Sequence, residues 1–199
     1  MFRPFLLVIF FYLLSLTGLA DANEKGKYSI EVAGINIGTL NTSKVIKGDI
    51  TFYYFESKVS IWLFMRITVT HEMVCVYNKN VLQSVDIHSF VNNEKYHSKI
   101  EWQNDHYNVD VKTYKYNNDR PIKDEIHFSV VKLFFEEPLE QKTILADNYG
   151  IMAPVTLLKP NVYQVQVIDK KNKYTYSNGA LVKAEMESAI KNFVIRKIK

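Results

Sequence analysis

The stretch KYHSKIEWQNDHYNVDVKTY, residues 95–114, decides how the rest of the chain is read. Apolar and polar side chains alternate along it, which places successive residues on opposite faces of a strand. If Asn104 and Asp105 form a two-residue turn, Trp102 faces Tyr107 and Ile100 faces Val109, while Lys99 meets Asp110 and Glu101 meets Asn108. One face is then aromatic and aliphatic and the other charged. That is an antiparallel hairpin with one wet side.

The same reading extends outward. In YTYSNGALV, residues 174–182, Asn178-Gly179 suits a type I′ turn, which needs positive φ at both central positions. Further strands are expected over 27–33, 37–43, 48–56, 60–77, 81–91, 141–147, 151–158, 161–169 and 189–197, in a chain rich in Tyr, Val, Ile and Thr. Many short strands joined by compact turns predict an all-β fold, an antiparallel β-barrel or strongly curved half-barrel. One segment departs from the pattern. DEIHFSVVKLFFEEP, residues 124–138, sets Ile126, Val130, Leu133 and Phe134 at helical spacing, with Asp124 as N-cap, and predicts one short helix ending before Pro138.

The ends and composition set the compartment. Residues 1–22 carry Arg3, an apolar run from Pro4 to Leu16 and the small residues Ala20-Asp21-Ala22. They read as a cleaved signal peptide, the apolar run being shorter than the roughly 20 residues of a membrane span. Residues 23–199 are expected to be a single β-rich domain with no further span, exported to the periplasm or the extracellular side, where outer-membrane association is also compatible. The net charge of +4 is scattered rather than clustered, which speaks against a nucleic-acid partner. Cys75 is the sole cysteine, so no internal disulfide forms, and among Val and Met it reads as a small buried hydrophobe.

HEMVC, residues 71–75, resembles a zinc-protease motif with Cys in place of the second His. Its neighbours are β-branched or aromatic, and in a strand i and i+4 stand about 13 Å apart. Two ligands that must each lie about 2.0–2.3 Å from one zinc cannot be supplied that way. Met73 and Cys75 should face inward and Glu72 outward. His71, His88, His97, His106 and His127 show no pair at metal-ligand spacing along the sequence, so no metal site is expected. Glu136 and Glu137 are adjacent and diverge. There is no G-x-S-x-G, and Gly34 and Gly38 read as a turn between two strands rather than a phosphate loop. No catalytic residue and no cofactor are expected, and the chain leans away from being an enzyme.

Three stretches carry a family resemblance. Tyr28-Ser29-Ile30-Glu31-Val32 runs into Gly34 and Ile37-Gly38-Thr39-Leu40, Leu133-Phe134-Phe135-Glu136-Glu137-Pro138 precedes Tyr149-Gly150, and the third is Tyr174–Leu181. Together these resemble a family of small exported β-rich proteins of unknown function, mainly from Bacteroidota. The resemblance implies a cell-envelope location and brings no activity or site residues. Aromatic richness then supplies the leading functional expectation: a non-enzymatic binder of an apolar or amphipathic, lipid-like ligand inside the curved sheet. Trp62, Phe64, Trp102, Tyr107 and Tyr163 are the candidate lining residues. The alternative is a structural or adaptor protein that binds another envelope protein.

Overall fold

The structure is a computed structural model and describes residues 23–62, 66–188 and 191–198. The first half is a run of long hairpins: β1 (Asn23–Val32), β2 (Ile35–Lys47), β3 (Ile50–Trp62), β4 (Arg66–Asn78), β5 (Val81–Val91), β6 (Glu94–Gln103) and β7 (His106–Lys112). A short β8 (Asn117–Asn118) follows. After a connecting segment come β9 (Thr143–Ala146), β10 (Ile151–Lys159), β11 (Val162–Val167), β12 (Lys170–Ser177), β13 (Ala180–Met186) and β14 (Phe193–Lys197). All pair antiparallel in one sheet, ordered β8-β7-β6-β5-β4-β3-β2-β1-β14-β13-β12-β11-β10-β9. The chain therefore builds two wings that meet where β1 pairs β14. Among the described residues no helix is long and apolar enough to cross a membrane.

The hairpin at 95–114 has the register expected from its alternation. Ile100 pairs Val109, Trp102 pairs Tyr107, and Lys99 pairs Asp110. Asn178 and Gly179 turn the β12–β13 hairpin with φ of 51° and 74°. The expected strand 60–77 is instead a hairpin, β3 ending at Trp62 and β4 starting at Arg66. Gly34 sits in the β1–β2 turn with φ +81°, but Gly38 lies within β2. There a Cβ would stand 2.2 Å from the Lys58 carbonyl oxygen. Gly38→Ala should thus push β2 off β3, costing about 1–3 kcal/mol as overpacking does. Thermal unfolding checks this, and an unchanged midpoint would show that the two strands do not approach so closely.

The short helix expected over 124–138 is absent; only a single 3₁₀ turn, Lys132–Phe134, forms. The backbone of the segment is engaged elsewhere. Ile122 exchanges hydrogen bonds with Tyr107, Leu82 N–H donates to Ile126 O at 2.8 Å, and Leu145 N–H donates to Phe128 O at 3.0 Å. A backbone already satisfied by sheet strands has no groups left for an i→i−4 ladder. The segment is a strap that bridges the two edges: Ile122 meets β7 and Ser129 meets β9. The sheet does not close by a strand ladder. Instead the Asn118 side chain donates to the carbonyls of Tyr149 and Gly150 at 3.1 and 2.8 Å, holding the wings together.

The strap also fills the interior. Ile126, Phe128, Val131, Leu133 and Phe134 are buried in the same core as Tyr28, Phe55, Val85, Ile100 and Tyr176. Tyrosines of both wings grip its backbone, Tyr28 Oη donating to Phe134 O at 3.3 Å and Tyr176 Oη to Leu133 O at 2.8 Å. Phe134 stands edge-on to Phe55 at 4.7 Å and to Tyr28 at 5.5 Å.

Candidate functional site

The strap decides which residues remain accessible to a ligand. Tyr107 is completely buried, its hydroxyl donating to Leu82 O at 2.9 Å and accepting from Ile126 N–H at 3.1 Å. Trp102 packs edge-on against it, ring centres 4.8 Å apart, and is only partly buried. Tyr163 is buried on the other wing against Tyr176. Trp62 is 75% exposed and paired with Arg66 at the far end of β3. Phe64 lies outside the described residues. The structure thus brings Trp102 and Tyr107 together and leaves Trp62 and Tyr163 apart from them.

A different surface is open. The turns 33–34 and 92–93, with the β3 end at Trp62 and the β4 start at Arg66, share one end of the first wing, here called the distal end. Along the inner face of β3, β4 and β5 the side chains change character toward it. A core layer of Phe55, Met73 and Ile87 gives way to a polar row of Ser57, His71 and Ser89, joined to Tyr96 on β6. Beyond it lies an apolar patch: Val59 pairs Val69, Val69 pairs Val91, and Ile61 pairs Ile67. All five are only partly buried, whereas Met73 and Ile87 are 3% exposed. His71 Nδ1 lies 2.9 Å from Ser89 Oγ, and desolvation pushes its pKa down to about 4, so the imidazole is neutral at pH 7. The result is an uncharged, half-open apolar shelf above a hydrogen-bonding row.

HEMVC lies within β4, as its flanking residues predicted. Met73 and Cys75 point into the core and Glu72 is exposed. On that outer face the histidine expectation fails. His88 and His97 are direct cross-strand partners on β5 and β6, their rings stacked at 4.5 Å with an interplanar angle of 11°. Each Nε2 lies beside one oxygen of Asp86, at 3.0 Å for His88 and 3.1 Å for His97. The signal was present in the sequence: a two-residue turn at Asn92-Asn93 pairs Val91 with Glu94 and therefore His88 with His97. Spacing along the chain concealed a pair that register reveals.

The pattern of the domain of unknown function DUF6134 matches residues 28–198. The chain belongs to the DUF6134 family. The family carries no assigned activity, in keeping with the resemblance drawn above. No curated protein matches the sequence. Among solved structures, the DUF6134 chain is similar to a beta-barrel-like protein of domain of unknown function DUF1849 from Brucella abortus. The identity is 11%, the match covers 88% of this chain and 95% of that one, and the TM-score is 0.49.

The buried polar groups of this DUF6134 domain belong to its architecture. Asp147, 1% exposed, accepts from Val131 N–H at 2.9 Å and lies 3.9 Å from the Cys75 thiol. Ser129 also bonds Asp147 and accepts from Tyr77 Oη at 2.8 Å. Desolvation raises Asp147 to about 6 and holds the Cys75 thiol far above its usual value, so Cys75 is a protonated core residue rather than a nucleophile. Lys132 is 3% exposed, donates to His127 O at 2.7 Å and to Asn80 Oδ1, and sits 4.2 Å over the Tyr77 ring. Its desolvation lowers the pKa to about 8. Asp147, Tyr77 and Lys132 thus anchor the strap, through Val131, Ser129 and Asn80 respectively.

Proposed function

We propose that the protein is an exported, non-enzymatic binder of an apolar or amphipathic molecule, held at the distal end of the curved sheet. The observation that carries this reading is the shelf of Val59, Ile61, Ile67, Val69 and Val91, which the strap leaves uncovered while it fills the rest of the interior. Apolar side chains half-exposed beside a neutral hydrogen-bonding row suit a ligand with a hydrocarbon chain and a polar group. The export signal read at residues 1–22 puts that ligand in the cell envelope or outside the cell. Trp62 stands on the outer side of the same rim, where it can report occupancy without lining the shelf.

A second reading, an adaptor for another envelope protein, draws on Leu157 and Leu158 of β10, 59% and 46% exposed. Lys159, Lys173 and Lys183 line a hollow beside Leu158. The two readings separate in one experiment. Protein purified from its own source without detergent is analysed by native mass spectrometry and organic extraction. The binder reading expects a co-purifying apolar molecule that Val69→Asp removes. An empty protein that crosslinks in cells through β10 to a single partner overturns it.

A further inference from the structure

We propose that Asp86, His88 and His97 form a binding site for a divalent transition-metal ion of the zinc or copper class. The site lies on the outer face, so it stands independently of the ligand shelf on the inner one. Its donor atoms, the two imidazole nitrogens and the Asp86 carboxylate oxygen, lie within 4.8 Å of one another. Three facts make the grouping more than adjacency of polar side chains.

First, the position of every donor is fixed by strand pairing rather than by a loop. Asp86 and His88 are i and i+2 on β5 and share a face, and His97 is opposite His88 on β6. Directly opposed residues hold their Cβ atoms about 4.5–5.5 Å apart, within reach of one ion for two His side chains. Second, both Nε2 atoms converge on the same Asp86 oxygen, at 3.0 and 3.1 Å. Bonds of about 2.0–2.1 Å to a tetrahedral zinc place neighbouring donors roughly 3.3 Å apart, so each nitrogen–oxygen separation opens by only about 0.3 Å, while the stacked rings turn to bring both Nε2 lone pairs onto the ion. Third, two imidazole nitrogens with one carboxylate form a donor set that selects copper or zinc over magnesium or calcium, which prefer oxygen alone.

Binding replaces two N–H···O contacts by metal–ligand bonds. Each imidazole coordinates through Nε2 as the Nδ1–H tautomer, so a neutral ring moves its Nε2 proton to Nδ1 by exchange with solvent and only a doubly protonated ring releases one net proton. No redox step is involved. His88 and His97 are exposed, so the ion keeps an open position toward solvent and exchanges freely.

The test is calorimetric titration of the purified full chain with zinc chloride, backed by the visible spectrum of the cobalt-loaded protein. The expected result is saturation at one ion per chain. His88→Ala and His97→Ala should each weaken binding at least tenfold, of the order seen when zinc sites lose a supporting group. His106→Ala and His127→Ala serve as controls because each of those histidines meets a single carboxylate, Asp105 or Glu125. They should bind as the parent does. Affinity should also fall on acidification, since only neutral imidazole ligates. His88, His97 and His127 are exposed and His106 is partly buried, and equal melting temperatures without metal establish that folding is intact. Failure to saturate, or undiminished affinity in the His88→Ala/His97→Ala double variant, overturns the proposal.

Discussion

Phe134→Ala is expected to destabilise the protein by about 3–5 kcal/mol, the range for truncating a buried Phe. Phe134 is the innermost aromatic of the strap, 7% exposed, and its ring meets Phe55 and Tyr28 at 4.7 and 5.5 Å. Those two residues belong to β3 and β1 and cannot collapse onto alanine without breaking the register of either strand. The loss therefore combines transfer of the ring with a cavity that stays open. Urea denaturation at neutral pH measures it. As a contrast, Trp62→Ala removes a larger aromatic that is 75% exposed and should change stability by no more than about 0.5 kcal/mol. If Phe134→Ala costs less than about 1 kcal/mol, the strap does not fill the sheet.

The second large effect is in the pH dependence set by Asp147. Its folded pKa is raised from 3.8 to about 6 by desolvation, with hydrogen bonds from Ser129 and Val131 N–H holding it from rising further. A raised carboxyl pKa means that the folded state takes up a proton near pH 6, whereas the unfolded chain does so only near 4. Between those values the folded state holds more protons, so this group adds stability as the pH falls from 6 to 4 and withdraws it as the pH rises again. Two units correspond to about 3 kcal/mol. Asp147→Asn keeps an acceptor for Val131 N–H and removes the buried charge. The variant should exceed the parent in stability at pH 7.5 and lose that advantage by pH 4. Comparing the two proteins at each pH cancels the contribution of the exposed carboxylates. A gap that stays constant across this range would show that Asp147 titrates normally.

Much of the fold could be read from local pattern, because alternation and turn residues act over a few positions. Trp102 opposite Tyr107 and Ile100 opposite Val109 followed from one two-residue turn. So did the inward Met73 and Cys75 and the outward Glu72, since a strand assigns faces by parity. The strap was misjudged because its conformation is set by partners remote in sequence. Ile126, Val130, Leu133 and Phe134 fit a helix equally well until Leu82, Tyr107 and Leu145 bind the intervening backbone. The same non-local filling undid the aromatic lining. Tyr107 and Tyr163 face inward as alternation requires, but the interior they face is occupied by the chain itself. His88 and His97 were within reach of sequence reasoning. Nine residues apart, they form no motif, and only the register across Asn92-Asn93 shows that they touch.

The distal shelf is the centre of the functional account, and one spectroscopic measurement addresses it. A spin-labelled fatty acid, added below its micellar concentration, is titrated into methyl-labelled protein and the paramagnetic broadening of each methyl signal is recorded. Binding at the shelf predicts saturable broadening at Val59, Ile61, Ile67, Val69 and Val91, with Val85, Ile100 and Val109 beneath the strap left sharp. Broadening centred on Val85, Ile100 and Val109, or none at any of these methyls, would contradict the account.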